Sequence, residues 1–298
     1  MDWRQFAMDL ETLNPDAVEE IFARHGATSI TLTDAGDRPV LEPAPGETPM
    51  WRDTRMTGLF SPNSDLDALR ADLLQSLSIA DLPAHEVMVL ADRAWEREWC
   101  KDLGPMQFGS RLWICPGDSS IEDGDAVVVK LDPGLAFGTG THASTALCLE
   151  WLDGLNLQGS TVLDIGCGSG VLVIAALLLG SERAVALDID PQAIRATVEN
   201  ALNNDVRDRL MVTNHMNGIA SKFDVVIANI LAAPLIDMAE LIAGHVNGGC
   251  VLALSGILSE QVDQVLEAYR PWIEFDEPVT REQDAQTWAR LTGRRIEG

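Results

Sequence analysis

Residues 132–145, DPGLAFGTGTHAST, place three glycines, four hydroxyl side chains, Phe137 and His142 just ahead of a strongly helical run. Such a set could cradle a phosphate, carry a nucleophile, or close over a small ligand. A phosphate loop needs G-x-x-x-x-G-K-[S/T], and no lysine follows these glycines. Nor does any serine or threonine here have an acid–base triad around it in the sequence. What remains is a ligand-contacting loop, or a flexible one ending in an ordinary helix cap that Thr141 or Ser144 could supply. His142 is the one histidine near this region, and a lone histidine after a glycine turn reads first as structural.

A second cluster lies at VLDIGCGSG. Gly166, Gly168 and Gly170 are spaced G-x-G-x-G, and Asp164 stands two residues ahead of the first. The dinucleotide fingerprint G-x-G-x-x-G would require a third glycine at position 171, which is Val171. A carboxylate at this point suits a sulfonium ligand with a free amino group better than it suits a pyrophosphate. Asp188, 22 residues beyond Gly166, stands close to the ~20-residue distance expected for an acid that bonds ribose hydroxyls. It could also cap the helix that begins at Pro191, though Asp190 is better placed for that. Asn229 ends the strand-like run FDVVIAN.

These side chains need strands and helices to hold them. From about residue 106, strand-like runs (RLWICP, DAVVVKLD, TVLDI, RAVALD, FDVVIAN, GGCVLALS) alternate with helical ones (STALCLEWLDGL, VLVIAALLLG, PQAIRATVENALNN, PLIDMAELIAGHV). Unbroken apolar strands joined through helices predict a doubly wound parallel sheet covered on both faces. Its ligand belongs at the carboxyl ends of the strands, near the first glycine turn. Residues 1–92 read β-α-β-β-α-β, a ferredoxin-like split βαβ module of α+β class. DRAWEREWCKDLG, with Trp95 and Trp99 four apart, reads as a linker helix over 93–105, leaving 106–298 as the second domain.

Bulk properties narrow the function classes. The 298 residues are 46% hydrophobic and 22% charged, a soluble globular composition. The start, MDWRQFAMDL, lacks a basic segment followed by an apolar core, and the longest apolar run, VLVIAALLL, is far short of the ~20 residues that span a bilayer. Five scattered cysteines without C-x-x-C spacing read as reduced thiols of a cytoplasmic protein, with no metal site. Net charge is −25 and the bases are dispersed, so DNA and RNA backbones are repelled; the acidity fits attraction of a basic protein, or equally a surface kept acidic for solubility or for a salt-adapted host. A monomer is expected.

Together the glycine turn, Asp164, Asp188 and the Asn229 segment resemble class I S-adenosylmethionine-dependent methyltransferases. A closer resemblance, over positions 95 to 295, is to the ribosomal protein L-eleven methyltransferases. It is carried by WEREWCKDLGPMQFGSRLWICP, LDPGLAFGTGTHASTALCLEWL, VLDIGCGSGVL, ALDIDPQAI, VIANILAAPL and LTGRR. The resemblance implies a Rossmann-like methyltransferase domain preceded by a substrate-recognition domain. It implies S-adenosyl-L-methionine as cofactor, S-adenosyl-L-homocysteine as product, and amino groups of a basic ribosomal protein as substrate. Phe137, Gly138, Thr145, Asp164, Gly166, Asp188 and Asn229 would then bind the cofactor, with Phe137 and Gly138 closing against its methionine end. Many methyltransferases of planar amino groups carry two prolines and an aromatic after this asparagine. Ile230 and Leu231 stand there instead, which disfavours a DNA-base or glutamine-amide substrate. No catalytic residue is required beyond these: desolvation alone lowers the pKa of a lysine amine from ~10.4, and His142 is the one candidate base.

Two alternatives stay open at this level. An RNA methyltransferase would use the N-terminal sheet for RNA, yet residues 1–92 offer five Trp and Phe residues and six arginines against 17 acids. A non-catalytic homologue would bind the cofactor without turnover.

Overall fold

The computed structural model describes residues 3–36, 53–90, 104–117, 119, 121, 124–131, 140–216, 219 and 221–297. Phe137, Gly138, most of the expected linker helix and the Pro/Gly-rich stretch LEPAPGETPM lie outside the described residues. The chain divides into two compact units, Met1–Ala94 and Trp95–Gly298.

The first unit contains β1 (Trp3–Asp9), α1 (Pro15–Arg24), β2 (Ser29–Asp34), β3 (Thr54–Phe60), α2 (Leu66–Ser76) and β4 (His85–Leu90). Its sheet has the order β2-β3-β1-β4, with every neighbouring pair antiparallel. This is the split βαβ arrangement expected from the sequence. Asn14 starts α1 by accepting from the Asp16 amide, and Pro15 occupies the first helical position, where no amide hydrogen is needed. Alternation in the strands turns Phe6, Met8, Met56 and Phe60 toward Val18, Phe22, Leu69 and Leu73 of the helices, all fully buried. Each contributes roughly 1.5–3 kcal/mol through burial. Gly58 belongs to this packing: a Cβ there would sit 2.6 Å from the Phe22 ring.

The second unit opens with a small sheet of β5 (Met106–Phe108), β6 (Leu112–Pro116) and β7 (Val127–Leu131). Its large sheet contains β8 (Thr161–Ile165), β9 (Arg183–Leu187), β10 (Leu210–Thr213), β11 (Phe223–Asn229), β12 (Val246–Leu258), β13 (Ile273–Phe275), β14 (Val279–Gln283) and β15 (Gln286–Arg295). The order is β10-β9-β8-β11-β12-β15-β13, with β14 against β15. The first five strands are parallel, as expected, but β15 runs antiparallel to β12, and β13 and β14 run antiparallel to β15. The parallel sheet expected from the sequence thus gives way to antiparallel pairing at this end. A hairpin, not a helix, links β14 to β15, and a hairpin can only reverse direction.

Both faces of the sheet are covered. On β8, Val162 packs toward α3 (Ala143–Asp153), α4 (Val171–Leu178) and α5 (Pro191–Asn203). Leu163 and Ile165 turn the other way, toward α6 (Ala232–Asp237), α7 (Ala239–Gly244) and α8 (Val262–Tyr269). PLIDMAELIAGHV thus forms two short helices meeting at Met238 instead of one. All eight residues of α4 are apolar and seven are buried, which explains why that run shows no amphipathic period.

Candidate active site

The site begins where β8 stops. Ile165 ends the strand, and Gly166, Gly168 and Gly170 follow with φ of +75°, +53° and +79°, in left-handed space that side-chain-bearing residues avoid. At Gly166 a Cβ would also collide with Ile230 Cγ2. The turn is tied in from several directions. The Gly166 and Cys167 amides both donate to Leu187 O, at 2.8 and 3.0 Å. Thr197 Oγ1 donates to Gly168 O (3.0 Å) and Asn200 Nδ2 to Ser169 O (2.9 Å), so α5 clamps the turn from outside.

Asp188 sits just past β9. Its Oδ2 accepts from the Gly168 amide (2.9 Å) and its Oδ1 from the Asp190 amide (3.0 Å). Asp190 is the cap of α5, accepting from the Gln192 amide, so the capping role falls to Asp190, as expected. Across the site, Asn229 Nδ2 donates to Thr145 Oγ1 (3.2 Å), joining the end of β11 to the first turn of α3.

His142 caps α3, its Nδ1 accepting from the Ser144 amide at 3.3 Å and lying 2.8 Å from Ser144 Oγ. Its ring meets Trp288 edge-on, centroids 4.5 Å apart. Burial lowers its pKa against the opposing charge of Asp284, which keeps the imidazole neutral near pH 7. The helix cap expected from Thr141 or Ser144 is supplied by the histidine between them.

Thr145, Gly166, Asp188 and Asn229, with His142, line one cavity of about 780 Å³ at the carboxyl end of the parallel strands. Asp164 does not line it. It is fully buried behind the wall, and neither carboxylate oxygen has a hydrogen-bond partner. Desolvation, together with the charge of Asp188, pushes its pKa up to about 7. The Val173 amide in the first turn of α4 opposes this rise without reaching full hydrogen-bond geometry. Asp164, expected from the sequence to take part in cofactor binding, thus lies beneath the turn and not in the cavity wall.

The cavity also recruits residues the sequence did not single out. Trp288 comes from β15, 122 positions after Gly166, and no local spacing announces it. Ile189, 88% exposed, follows Asp188, while His215 and Met216 come from the loop after β10. His215 had no expected role. The rule that every parallel strand contributes its carboxyl-end loop would have pointed to it. Among the described residues, no group of three or more potential metal ligands comes together.

A family model described as ribosomal protein L11 methyltransferase (PrmA) matches residues 2–296 of the chain. The chain belongs to this family. It is 48% identical over 296 residues to the ribosomal protein L11 methyltransferase of Klebsiella pneumoniae strain 342, with 99% of this chain and 100% of the relative covered. The same identity and coverage hold for the Salmonella typhimurium relative of that name. Among solved structures, a ribosomal protein L11 methylase from Lactobacillus delbrueckii subsp. bulgaricus is 30% identical with a TM-score of 0.59, over 65% of this chain and all of that one. As a member of the family, the chain is a protein methyltransferase.

Proposed function

We propose that this protein transfers methyl groups from S-adenosyl-L-methionine to amino groups of ribosomal protein L11, both lysine side chains and the N-terminal amine. The observation that carries the reading is the cavity itself: a glycine turn too tight for side chains, one fixed carboxylate on its rim, and an unpaired buried carboxylate beneath it. A pyrophosphate would meet two acids there, whereas a cationic ligand meets compensation.

The residues divide the work. Asp188, held by two backbone amides, presents its remaining lone pairs to ribose hydroxyls. Ile189 offers the apolar surface an adenine needs. Gly166 and Gly168 let the backbone approach the amino-acid end. When bound, the donor supplies a methyl group already activated by its positive sulfur. The protein must then hold a neutral amine in line behind that methyl and exclude water. Asn229 and Thr145, already bonded to each other, form the polar edge at which an amine N–H finds an acceptor. His142 is committed to capping α3 and takes no part as a base.

Recognition of the substrate falls to the first unit. Residues 1–92 hold 17 acids and six arginines without a lysine, a field that draws in a basic protein. Incubation with methyl-labelled S-adenosyl-L-methionine and, separately, purified L11 and ribosomal RNA tests the proposal. Label is expected on L11 amines, and label confined to RNA would overturn it.

A further inference from the structure

Asp164 is out of place by ordinary rules. A buried carboxylate normally has hydrogen-bond donors or a cation beside it, and one without them neutralises instead. Asp164 lies on β8 between Ala186 of β9 and Ile227 of β11, is 0% exposed, and has no partner on either oxygen. The titratable groups that feel it are Cys148 of α3, Cys167 of the glycine turn and Asp188 at the end of β9. None is a cation. Both thiols are pushed up by burial, Cys148 to about 12, so both stay neutral. α4 contributes no titratable group, only the Val173 amide that faces the carboxyl, and β11 offers only the amide of Asn229 at this end. Arg290 of β15 acts on Cys148, with its Nη1 donating to Leu147 O.

We propose that Asp164 is a charge sensor beneath the glycine turn, protonated while the cavity is empty and ionised when a cationic donor binds. It thereby makes the site prefer the sulfonium donor to its neutral product. The inference rests on the donor reading above. In the transfer, the S–CH3 bond breaks, its electron pair stays on sulfur, and the N–CH3 bond forms. The nitrogen takes up the positive charge and sheds a proton to solvent. The bound ligand has then lost one unit of positive charge, the unit that had favoured the Asp164 carboxylate. Asp164 takes back a proton from solvent, and the product is held less tightly than the donor was.

Calorimetric titration with S-adenosyl-L-methionine and with S-adenosyl-L-homocysteine, from pH 6 to pH 8, measures this directly. In two buffers of different ionisation heat, donor binding near pH 7 should release more protons than product binding does. The donor-to-product affinity ratio should climb about tenfold more over this range in the wild type than in Asp164→Asn, as linkage requires for a group titrating near the middle of it. The ligands' own amine titrates nearby, and the Asn variant carries that background. Infrared difference spectra of the unmodified protein give a second readout: a protonated-carboxyl stretch should vanish on donor binding and persist with product. Equal pH slopes in wild type and variant, or an unchanged carboxyl band with donor, would sink the sensor while leaving the methyltransferase reading intact. Failure of the wild type to bind the donor at any pH would overturn both.

Discussion

At the scale of single residues, the site works through what each side chain is already bonded to. Asp188 spends one lone pair per oxygen on backbone amides, so it braces the glycine turn and keeps acceptor capacity for the ribose hydroxyls of the proposed donor. Asp188→Asn should weaken S-adenosyl-L-methionine binding about tenfold or more, the usual cost of losing a charged hydrogen-bond acceptor, as read by calorimetry. Asp164 carries an opposite kind of signature. Its folded pKa lies above the unfolded value, so its contribution to stability is full below about pH 4 and is lost as pH rises through about 7. The melting temperature of Asp164→Asn, relative to wild type and without ligand, should therefore increase from pH 5 to pH 8. A constant difference would contradict the burial argument. For His142, replacement by Asn keeps a capping side chain. The pH profile of methyl transfer should be unchanged in His142→Asn, and loss of the acidic limb would reinstate the imidazole as a base.

Among the structural elements, the turn after β8 and the β14–β15 hairpin carry the most constraint. Gly166→Ala would need both a left-handed backbone and room that Ile230 occupies. Donor binding should be abolished while the helical circular dichroism stays close to wild type. The hairpin tip places Asp284 and Ala285 at φ of +51° and +61°, two consecutive left-handed residues where a two-residue turn favours Asn-Gly. Ala285→Gly relieves the Cβ strain and should stabilise the protein by up to about 1 kcal/mol in denaturant melts. This same hairpin leads into Trp288 and reaches α3 through Gln283, which accepts from the Ala143 amide, and through Arg281, paired with Glu150. The repeated βα units were legible from hydrophobic runs and glycine punctuation. The antiparallel return of β13, β14 and β15 was not, because a short alternating strand reads the same in either direction until its partner is known.

Across the whole molecule, charge is the dominant property. With −25 overall and −11 in the first 92 residues, capture of a basic protein should depend on ionic strength. Raising salt from low to physiological levels should lower kcat/KM for L11 several-fold with kcat little altered. A short uncharged amine substrate should show no such fall. No helix among the described residues is long and apolar enough to cross a membrane.

The sequence by itself determined the alternation of strands and helices, the βαββαβ order of the first unit, the glycine turn, and the acid 22 residues beyond its first glycine. These are local: each is written within a short run of residues, in periodicity, capping and backbone freedom. Only the tertiary structure decided that Trp288 and His215 share a cavity with Gly166, that Asn229 reaches Thr145, and that Asp164 lies buried without a partner behind the wall. Those facts depend on which strands become neighbours and which face each side chain takes. Strand pairing and burial are settled by the packing of distant segments against each other, so no stretch of sequence read alone contains them.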